Sequence, residues 1–505
     1  MFYTYDNIAA AMYLLFDMRV LFTIAAASIY GLFVGAMPGL TATMAAALLV
    51  PVTFFMDPVP ALAAMVTMSA MAIFAGDIPT TLVRIPGTPA SAAYVEDSYA
   101  LTKQGKASHV LGMQLTVSVI GGLIGSFVLM FLAPLLAEVA LNFSSYEYFW
   151  LACFGLSCAV MVSSGSTSKA LMSLLIGLML NCIGLDVSLA FPRFTFGNPE
   201  LLEGFSFIPV MIGMFGIAEI VRNMLVQDSK IAPFMVQTGE IFKGAWKTVR
   251  ENWKHISRSM GVGAGVGILP GAGADIAAWV AYGVSKRFAR NPDAYGKGNI
   301  EGITAAGTAN SASLAGAWVP ALVFGIPGDS ITAIVIGVLY MKNLRPGPAI
   351  FEHSPEIIMA VYGSFILANL LLIPFGWLAI KLSSKVLQVP RNMLYPVVLI
   401  FCIVGAFAIN NSVFDLRVML AFGIIAYLME VNEIPVAPAI LGLVLGDLLE
   451  NSFMISMMKS QWNLLTFFER PISASLGAVV VLIWLTPVLV PFVKKRFASK
   501  RFASK

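Results

Sequence analysis

The chain has 505 residues, of which 58% are hydrophobic and only 11% are charged, and its net charge is +4. Soluble domains carry about 25% charged residues, so this composition excludes an ordinary soluble fold. The mean hydropathy of +0.84 and the recurrent apolar runs predict an all-α polytopic membrane protein. The small positive charge lies mostly in loops, which gives no reason to expect a nucleic-acid partner.

In chain order, long apolar segments alternate with polar loops, and proline-glycine pairs interrupt the pattern four times. The segments cover about 20–56, 60–78, 108–137, 146–163, 168–187, 204–225, 259–285, 303–341, 357–380, 393–410, 415–429, 434–449 and 473–493. The pairs are Pro38-Gly39, Pro86-Gly87, Pro270-Gly271 and Pro327-Gly328. Proline lacks a backbone donor and clashes with the preceding turn, and glycine gives no side-chain support. Because freed backbone is tolerated at membrane depth only when it is buried or lines a cavity, these pairs predict broken helices.

The sequence repeats itself around these pairs. The motif Gly31-x3-Gly35-x2-Pro38-Gly39 recurs as Gly263-x3-Gly267-x2-Pro270-Gly271 (263 − 31 = 232), and Pro79-x6-Pro86-Gly87 recurs as Pro320-x6-Pro327-Gly328 (327 − 86 = 241). Broken segments at corresponding positions of two halves point to a secondary transporter. We predict a first membrane repeat at 1–225, a basic cytoplasmic linker at 226–258, a second repeat at 259–493 and a basic cytoplasmic tail at 494–505.

The distribution of lysine and arginine predicts the orientation of the two halves. The stretches 226–258 and 286–298 are rich in both residues and are therefore expected on the cytoplasmic side. The apolar residues between them leave and return on one side, which predicts a re-entrant hairpin with Pro270-Gly271 at its tip. The same reasoning places the loops 103–106 and 342–356 on opposite sides of the membrane. The repeats are thus predicted to be inverted, with a parallel duplication as the alternative.

The helix breaks expose backbone N–H groups, which favour anions, and carbonyl groups, which favour small cations. Backbone and polar side chains at the breaks are therefore the candidate site. For substrate binding they are Pro38, Gly39, Thr41, Thr43, Arg84, Pro86, Gly87, Thr88, Ser91, Pro270, Gly271, Gly273, Asn310, Ser311 and Ser313. For ion coupling they are Asp77, Asp275, Pro327, Gly328 and Asp329.

These residues also have structural interpretations. A Ser or Thr hydroxyl can bond to the carbonyl four residues earlier in its own helix. Arg84 offers a bidentate fork for a substrate carboxylate, or it could extend to the membrane interface. Asp275 and Asp329 suit the binding of Na⁺ or H⁺, or they could cap the half-helices that follow. Glu219 and Arg222 lie near the end of a segment, where placement at the interface is expected.

Four blocks contain the breaks and their flanks: GLFVGAMPGLTATMAAALLVPVTF, AGDIPTTLVRIPGTPASAAYVEDSYALTKQGKA, GVGILPGAGADIAAWVAYGVSKR and GIPGDSITAIVIGVLYMKNLRPGP. They resemble the large membrane subunit (TctA type) of the tripartite tricarboxylate transporters. This resemblance implies a multi-pass permease of the bacterial inner membrane that imports carboxylates and is driven by a cation gradient. The implied partners are a small four-helix membrane subunit (TctB type) and a periplasmic solute-binding protein (TctC type).

The leading interpretation is alternating-access import of citrate-like di- or tricarboxylates, elevator-like, with Na⁺ or H⁺ held near Asp275 and Asp329. A passive anion channel, which needs no coupling ion, is the alternative. An intramembrane aspartyl protease is disfavoured because the repeats align Asp275 with Thr43 and Asp329 with Thr88, so symmetry supplies no aspartate pair. The sequence lacks dinucleotide and phosphate-binding loops, so we expect no enzymatic activity and no cofactor. The particular carboxylate, the coupling ion and homodimer formation are left open.

Overall fold

The computed structural model describes residues 2–163, 165–186, 190–225, 241–242, 244–387 and 391–502. Most of these residues are helical, and the described strands are limited to one two-residue pair, which confirms the predicted all-α class. Residues 226–240 and 243 of the predicted linker and 503–505 of the predicted tail lie outside the described residues.

The described part of the chain forms 22 α-helices and one short hairpin of strands. The first eleven helices are α1 Tyr5–Leu15, α2 Met18–Ala36, α3 Ala42–Phe54, α4 Pro58–Ala75, α5 Asp77–Val83, α6 Val95–Lys103, α7 Ala107–Ala140, α8 Ser145–Val162, α9 Thr167–Asn181, α10 Phe207–Met211 and α11 Ala218–Leu225. The others are α12 Ala245–Glu251, α13 Trp253–Ile268, α14 Gly273–Phe288, α15 Ile300–Phe324, α16 Ser330–Met341, α17 Ile350–His353, α18 Pro355–Val386, α19 Arg391–Asn410, α20 Val413–Val431, α21 Ala437–Lys459 and α22 Pro471–Phe502. A π-helical segment, Ile212–Ile217, joins α10 to α11, and strands β1 Gly184–Leu185 and β2 Pro192–Arg193 pair antiparallel.

Among the described residues, seven helices are long and apolar enough to cross a membrane. Five of them are single helices: Met18–Ala36, Ala107–Ala140, Ser145–Val162, Pro355–Val386 and Ala437–Lys459. The other two join consecutive elements: Pro58–Val83 combines α4 and α5, and Phe207–Met224 runs from α10 through the π-helical segment into α11. Shorter apolar helices accompany them, including α3, α9 and α16. The protein is therefore a multi-pass membrane protein.

The chain divides into two compact units. The first unit consists of Met1–Leu141 and Phe205–Val436, and the second of Asn142–Gly204 and Ala437–Lys505. Within the second unit, α21 packs against α8 and α9, and α22 packs against α8. The predicted halves 1–225 and 259–493 each contribute to both units, and their boundaries as sequence repeats stay a prediction.

The predicted breaks fall between helices in both halves. The helix α2 ends at Ala36 and α3 begins at Ala42, while α13 ends at Ile268 and α14 begins at Gly273. Gly39 and Gly271 lie inside these two breaks with φ of 90° and 76°, a backbone conformation that side chains strongly disfavour. Glycine at these two positions thus allows the chain to turn between one half-helix and the next.

The two halves also share their helix packing. Two glycines before each first break lie against carbonyl oxygens of the following long helix, so closely that an added Cβ would be 2.5 Å from each oxygen. The pairs are Gly31–Met68, Gly35–Ala72, Gly263–Ala309 and Gly267–Ser313. Between the two halves, the residue numbers of the glycines differ by 232 (263 − 31), and those of the residues that supply the carbonyls differ by 241 (309 − 68). These are the same offsets that relate the repeated sequence motifs. The two halves therefore share these four contacts at equivalent positions, whereas their division into two structural repeats and the inversion of one relative to the other stay predictions.

The helices α4 and α15 are central to the first unit. Nearly every residue of both helices is buried; α4 is rich in alanine and methionine, and α15 is rich in alanine, glycine, serine and threonine. Small residues allow membrane helices to approach backbone to backbone. The helix α4 packs against α2 and α18, and α15 packs against α7, α13 and α14. The second break of the first half follows α5, which comes directly after α4, and that of the second half follows α15. The two central helices therefore position the backbone that changes direction at these breaks.

Asp97 of α6 connects the two halves through a buried carboxylate. Its Oδ1 accepts hydrogen bonds from the backbone N–H groups of Gly298 and Asn299 at 2.8 and 2.7 Å, and its Oδ2 accepts one from the Tyr282 hydroxyl at 2.7 Å. We expect Asp97→Ala to destabilise the protein by about 3 kcal/mol, because three partly buried donors lose a charged acceptor. The measurement is thermal unfolding in detergent. Glu96→Ala removes the neighbouring half-exposed carboxylate and should change the unfolding temperature little; equal shifts for both variants would contradict this role of Asp97.

Candidate functional site

A cavity of about 210 Å³ lies in the first unit, where the four helix breaks meet. Ten of its lining residues belong to the breaks or to the turns that follow them, namely Thr41, Ala42, Thr43, Thr88, Pro89, Ala274, Asp275, Asp329, Ser330 and Ile331. The other seven are Ile73 of α4, Met214 and Phe215 of the π-helical segment, Glu219 and Arg222 of α11, Asn310 of α15 and Glu430 of α20. Six residues from the sequence prediction therefore converge here: Thr41, Thr43, Thr88, Asp275, Asn310 and Asp329.

Two half-helices begin at this cavity with a side-chain cap. Thr41 caps α3, since its hydroxyl accepts a hydrogen bond from the backbone N–H of Met44 at 3.1 Å. Asp329 caps α16, since its Oδ1 accepts hydrogen bonds from the N–H and the hydroxyl of Thr332, both at 2.8 Å. The structural interpretation of Asp329 as a cap is thus confirmed. Both of these hydrogen bonds are accepted by Oδ1 rather than by Oδ2. Asp275 is the third residue of α14 and is exposed within the cavity rather than serving as the cap.

Gly273 brings the third and fourth breaks into contact. A Cβ added to Gly273 would lie 2.5 Å from the Cβ of Asp329, and the φ of Gly273 is 53°. Real Cβ atoms essentially never approach so closely, so this position requires glycine on both grounds. The carboxylates of Asp275 and Asp329 consequently share one cavity although 54 residues separate them (329 − 275). Two nearby carboxylates repel each other when both are ionised, and a cation between them would relieve that repulsion.

Asn310 lines the cavity from the middle of α15. The Tyr94 hydroxyl, which lies beside the Asn310 side chain, donates to Asp77 Oδ1 at 2.5 Å. Asp77 and Tyr94 are each 1% exposed, and Asn310 is 2% exposed. Asp77 does not line the cavity but lies behind Asn310 in this chain of polar groups.

A second polar network supports the break at Pro86-Gly87. The Ser91 N–H donates to the Thr88 hydroxyl at 3.2 Å, and the Ser91 hydroxyl donates to the Thr88 carbonyl at 2.8 Å. The Thr80 hydroxyl donates to Ser91 at 2.9 Å and accepts from the Gly87 N–H at 3.2 Å. These bonds satisfy the backbone groups that the break frees, so Ser91 shapes the turn while Thr88 faces the cavity.

An arginine in the cavity was not assigned from the sequence. Arg222 is ion-paired with Glu219 of its own helix, and its Nη1 lies 3.7 Å from Glu430 Oε2. Asn223, the next residue, donates to the Gly39 carbonyl at 2.9 Å, which fixes α11 against the first break. Glu219 and Arg222 thus face the breaks and line the cavity, and their expected placement at the membrane interface stays a prediction. Two opposite charges three residues apart within an apolar run were the available signal, because such pairs in membrane segments tend to be functional.

The other predicted residues do not line the cavity: some form the backbone of the helix breaks, and the rest lie elsewhere in the first unit. Arg84 is exposed and pairs with Glu96 at 2.7 Å, away from the cavity lining. Ser313 donates to the carbonyl of Asn310 at 2.8 Å, an intrahelical bond of the structural kind. The residues that form or flank the breaks without lining the cavity are Pro38, Gly39, Pro86, Gly87, Pro270, Gly271, Pro327 and Gly328, and Ser311 is buried in α15. Their assignment to substrate or ion stays a prediction.

Residues 21–441 match the family described as Tripartite tricarboxylate transporter TctA family. The chain belongs to the TctA family. A relative from Agrobacterium vitis, described as an uncharacterized 52.8 kDa protein in the TAR-I ttuC' 3'region, is 33% identical over 453 residues, 89% of each chain. A second, described as an uncharacterized protein in the TAR-II ttuC' 3'region of the same organism, is 34% identical over 228 residues, covering 45% of this chain and 94% of the relative. No solved structure matches the chain.

Membership of the TctA family confirms the resemblance found in the four sequence blocks. A TctA protein is a component of a tripartite tricarboxylate transporter, which implies partner subunits. It also implies a role in transport rather than in enzymatic catalysis. The apolar helices agree with this assignment, since they make the chain a multi-pass membrane protein.

Proposed function

We propose that this TctA-family chain is a secondary active importer of citrate-like di- and tricarboxylates across the bacterial inner membrane. A cation gradient drives it, a periplasmic solute-binding protein (TctC type) delivers the substrate, and a small four-helix subunit (TctB type) completes the complex. The observation that supports this proposal is the convergence of all four breaks of the duplicated motifs on one cavity. Such convergence at discontinuous helices is the arrangement of substrate and ion sites in secondary transporters.

The substrate carboxylates bind at the side of the cavity formed by Arg222, Thr41 and Thr88. Arg222 presents a planar guanidinium that pairs with carboxylates in bidentate geometry, and the α3 N-terminus at Thr41 adds a favourable helix dipole. In the structure Arg222 is ion-paired with Glu219 and Glu430. A substrate carboxylate replaces one of these glutamates as a partner of Arg222. Arg222 is therefore ion-paired both before and after the substrate binds.

The coupling cation, Na⁺ or H⁺, binds at Asp275 and Asp329. A substrate with two or three negative charges entering this cavity meets two further carboxylates. Two like charges 4 Å apart repel by about 4 kcal/mol at the effective dielectric constant of a protein surface. A bound cation cancels this repulsion, so substrate and cation bind better together than separately, which is the thermodynamic requirement for symport.

Alternating access is proposed to be elevator-like. The two hairpins and their partner broken helices would move as one block, because each pair of glycines locks a half-helix onto its long neighbour without intervening side chains. The comparison with other carriers that contain inverted hairpins supplies this step by analogy. The elevator motion is independent of the identity of the ion.

One observation bears on the protease alternative. The structure places Asp275 and Asp329 in one cavity, although repeat symmetry had suggested no aspartate pair. Asp329 Oδ1 is committed to the cap of α16, which is unsuited to an acid that must exchange a proton with a peptide. We therefore retain import as the proposal, and incubation of the purified complex with membrane peptides provides the check: cleavage lost in Asp275→Asn would support the protease.

The test is uptake of labelled citrate and other carboxylates by vesicles that contain the chain and both partner subunits, with Na⁺ and pH gradients imposed separately. Accumulation against a concentration gradient that needs one cation gradient and the binding protein supports the proposal. Equilibration of the carboxylate regardless of either gradient would instead support the passive anion channel. No flux of any carboxylate would refute carboxylate transport.

Arg222→Gln should raise the KM for carboxylate uptake about tenfold. A charge-assisted hydrogen bond contributes about 1.5–3 kcal/mol, and the lower end applies because the Arg222 side chain is half-exposed. The measurement is the concentration dependence of uptake in vesicles. Arg417→Gln is the matched control, since Arg417 is exposed on α20 and lies outside the cavity lining. An unchanged KM in Arg222→Gln would remove Arg222 from the substrate site.

A further inference from the structure

We propose that α12, the start of α13 and the end of α14 form a surface that binds the headgroups of anionic phospholipids in the cytoplasmic leaflet. We call it the basic face, and its residues are Trp246, Lys247, Arg250, Lys254, Lys286 and Arg287. The sequence predicted part of this region only as a basic linker. The inference goes beyond the proposed import function, because headgroup binding depends on neither the solute nor the coupling ion.

The helix α12 is amphipathic. Its buried face consists of Ala245, Thr248 and Val249, which have the spacing i, i+3 and i+4 of one helical face. Its other face carries Trp246, which is 71% exposed, and the exposed cations Lys247 and Arg250. The apolar face of this helix is thus covered by the protein itself, whereas an indole ring and two cations point away from it together.

Contacts with α7 place α12 at the level of the lipid headgroups. The Thr248 hydroxyl lies 3.3 Å from Nε2 of His109, the third residue of α7. A Cβ added to Gly112 of α7 would lie 1.7 Å from the Ile241 carbonyl oxygen, just before α12. The membrane-crossing helix α7 has 34 residues, or about 51 Å, which exceeds the ~40–45 Å of a bilayer with its headgroups. Its first turns therefore lie at headgroup level, and α12 lies beside them.

The end of α14 extends the basic face. The Nδ1 atom of His255 in α13 lies 3.2 Å from Oγ of Ser285 in α14, so the start of one helix is held beside the end of the other. Lys254 precedes His255, and Lys286 and Arg287 follow Ser285; all three are exposed. The two helices of this hairpin therefore present their cations at the same end, next to α12.

The charges and rings of the basic face fit a layer of anionic headgroups. Five cations share it, and the carboxylate of Glu251 lies 3.8 Å from Lys247 Nζ. Each Lys or Arg near an anionic leaflet strengthens binding about fivefold. Two neighbouring rings, Trp253 and Phe288, are 53% and 66% exposed, and tryptophan favours the headgroup level of a membrane. The position beside the first turns of α7 favours lipid over a soluble anion, because lipid is the anion that is concentrated there.

Bound headgroups would hold the base of a hairpin that reaches the cavity. The helices α13 and α14 flank Pro270-Gly271, and α14 carries Asp275. Both helices have their other ends in the basic face. Anionic lipid therefore fixes the cytoplasmic end of the hairpin at headgroup level, and it should stabilise the folded protein.

The experiment is a titration of the full chain in detergent with phosphatidylglycerol, with phosphatidylcholine as the zwitterionic reference. The readout is the unfolding temperature, which rises and saturates when a lipid binds the folded protein. In the wild type we expect a saturable rise with phosphatidylglycerol beyond that with phosphatidylcholine. The triple variant Lys247→Gln, Arg250→Gln, Lys254→Gln should bind phosphatidylglycerol about a hundredfold more weakly, at about fivefold for each cation.

A matched control removes the same number of exposed cations from other parts of the chain. It combines Arg345→Gln, Arg417→Gln and Lys459→Gln. Its affinity for phosphatidylglycerol should stay close to that of the wild type, because these residues lie outside the basic face. Both triple variants lose the same net charge, so a difference between them reports the position of the cations.

Tryptophan fluorescence provides a second measurement that does not depend on stability. Phosphatidylglycerol with brominated acyl chains quenches tryptophans that contact lipid. Trp246→Phe should reduce the quenched fraction, whereas Trp318→Phe should leave it unchanged, since Trp318 is fully buried in α15. Quenching that is equal in the wild type and Trp246→Phe would contradict contact between α12 and lipid.

The proposal is overturned if phosphatidylglycerol stabilises the wild type no more than phosphatidylcholine, or if the two triple variants lose affinity equally. Glycerol 3-phosphate carries a phosphate without acyl chains. Saturable stabilisation by glycerol 3-phosphate at the same concentrations would show a site for soluble phosphate and refute the lipid surface. Tighter binding of a short oligonucleotide than of phosphatidylglycerol, lost in the first triple variant, would refute it in favour of a nucleic-acid partner.

Discussion

Asp275→Asn is expected to abolish gradient-driven carboxylate accumulation while the protein still reaches the membrane in normal amounts. Asparagine keeps the shape of the side chain but removes its charge, so the cavity loses a charged cation ligand. Loss of an outer partner already costs about 10–100-fold in metal affinity, and loss of a direct ligand should cost at least that. The measurement is initial uptake into vesicles under an imposed Na⁺ or pH gradient, normalised to the amount of folded protein.

Folding of the Asp275→Asn variant should be normal because Asp275 makes no capping bond to α14 and is exposed within the cavity. Asp293→Asn is the matched control: it removes an exposed aspartate of the same half outside the cavity lining, and wild-type uptake is expected. If Asp275→Asn accumulates carboxylate at the wild-type rate, Asp275 has no part in cation coupling. Accumulation lost equally in both variants would point to a general effect of charge.

The helix breaks could be predicted from the sequence because their causes are local. Proline and glycine interrupt a helix wherever they occur together, so the gap between α2 and α3 and the gap between α13 and α14 follow from Pro38-Gly39 and Pro270-Gly271. The offsets between motifs predicted which residues occupy equivalent positions. Since equivalent breaks meet at one place in the fold, Thr41 and Asp275 could be grouped without any knowledge of the packing, and both line the cavity; their functional roles stay predictions.

The sequence did not predict which arginine lines the cavity: Arg84 was proposed but lies outside it, and Arg222 was not proposed but lines it. Arg84 lies within a repeated motif, but it aligns with Gly325 (84 + 241 = 325), and both residues have a left-handed backbone with φ of 59° and 69°. A position that is glycine in one repeat signals a backbone requirement rather than a side-chain function, and the Arg84 side chain points to Glu96. Arg222 has no motif at all. Its place in the cavity depends on how α11 packs against the first break, which Asn223 contacts across 184 residues of sequence (223 − 39 = 184), and hydropathy does not encode this packing.

The cavity partners Glu219 and Glu430 could not be predicted for the same reason. They lie on α11 and α20, two helices outside the repeated motifs that contact each other in the first unit. The π-helical segment Ile212–Ile217 precedes α11, and π-helical turns often occur at functional sites. Such a turn rotates the residues that follow it relative to a regular helix, so a helical wheel drawn through Phe207–Leu225 would misplace Glu219 and Arg222.

Gly273→Ala is expected to lower both stability and uptake, and the close contact with Asp329 gives the reason. The new methyl group would lie 2.5 Å from the Asp329 Cβ, at a φ of 53°. A left-handed residue other than glycine costs about 1–2 kcal/mol, and overpacking costs about 1–3 kcal/mol. Relief of the clash moves Asp329 away from the cavity, so uptake should fall further than the loss of stability alone explains. The measurements are the unfolding temperature in detergent and initial uptake per folded molecule.

Gly265→Ala provides the matched comparison in the preceding half-helix. Gly265 lies in α13 with no heavy atom within 4 Å of an added Cβ, and alanine favours a helix over glycine by up to about 1 kcal/mol. This variant should be as stable as the wild type or more so, with normal uptake. Because both substitutions add one methyl group to the same hairpin, a difference between them isolates the contact with Asp329. Equal uptake in the two variants would show that the approach of Gly273 to Asp329 is not needed for transport.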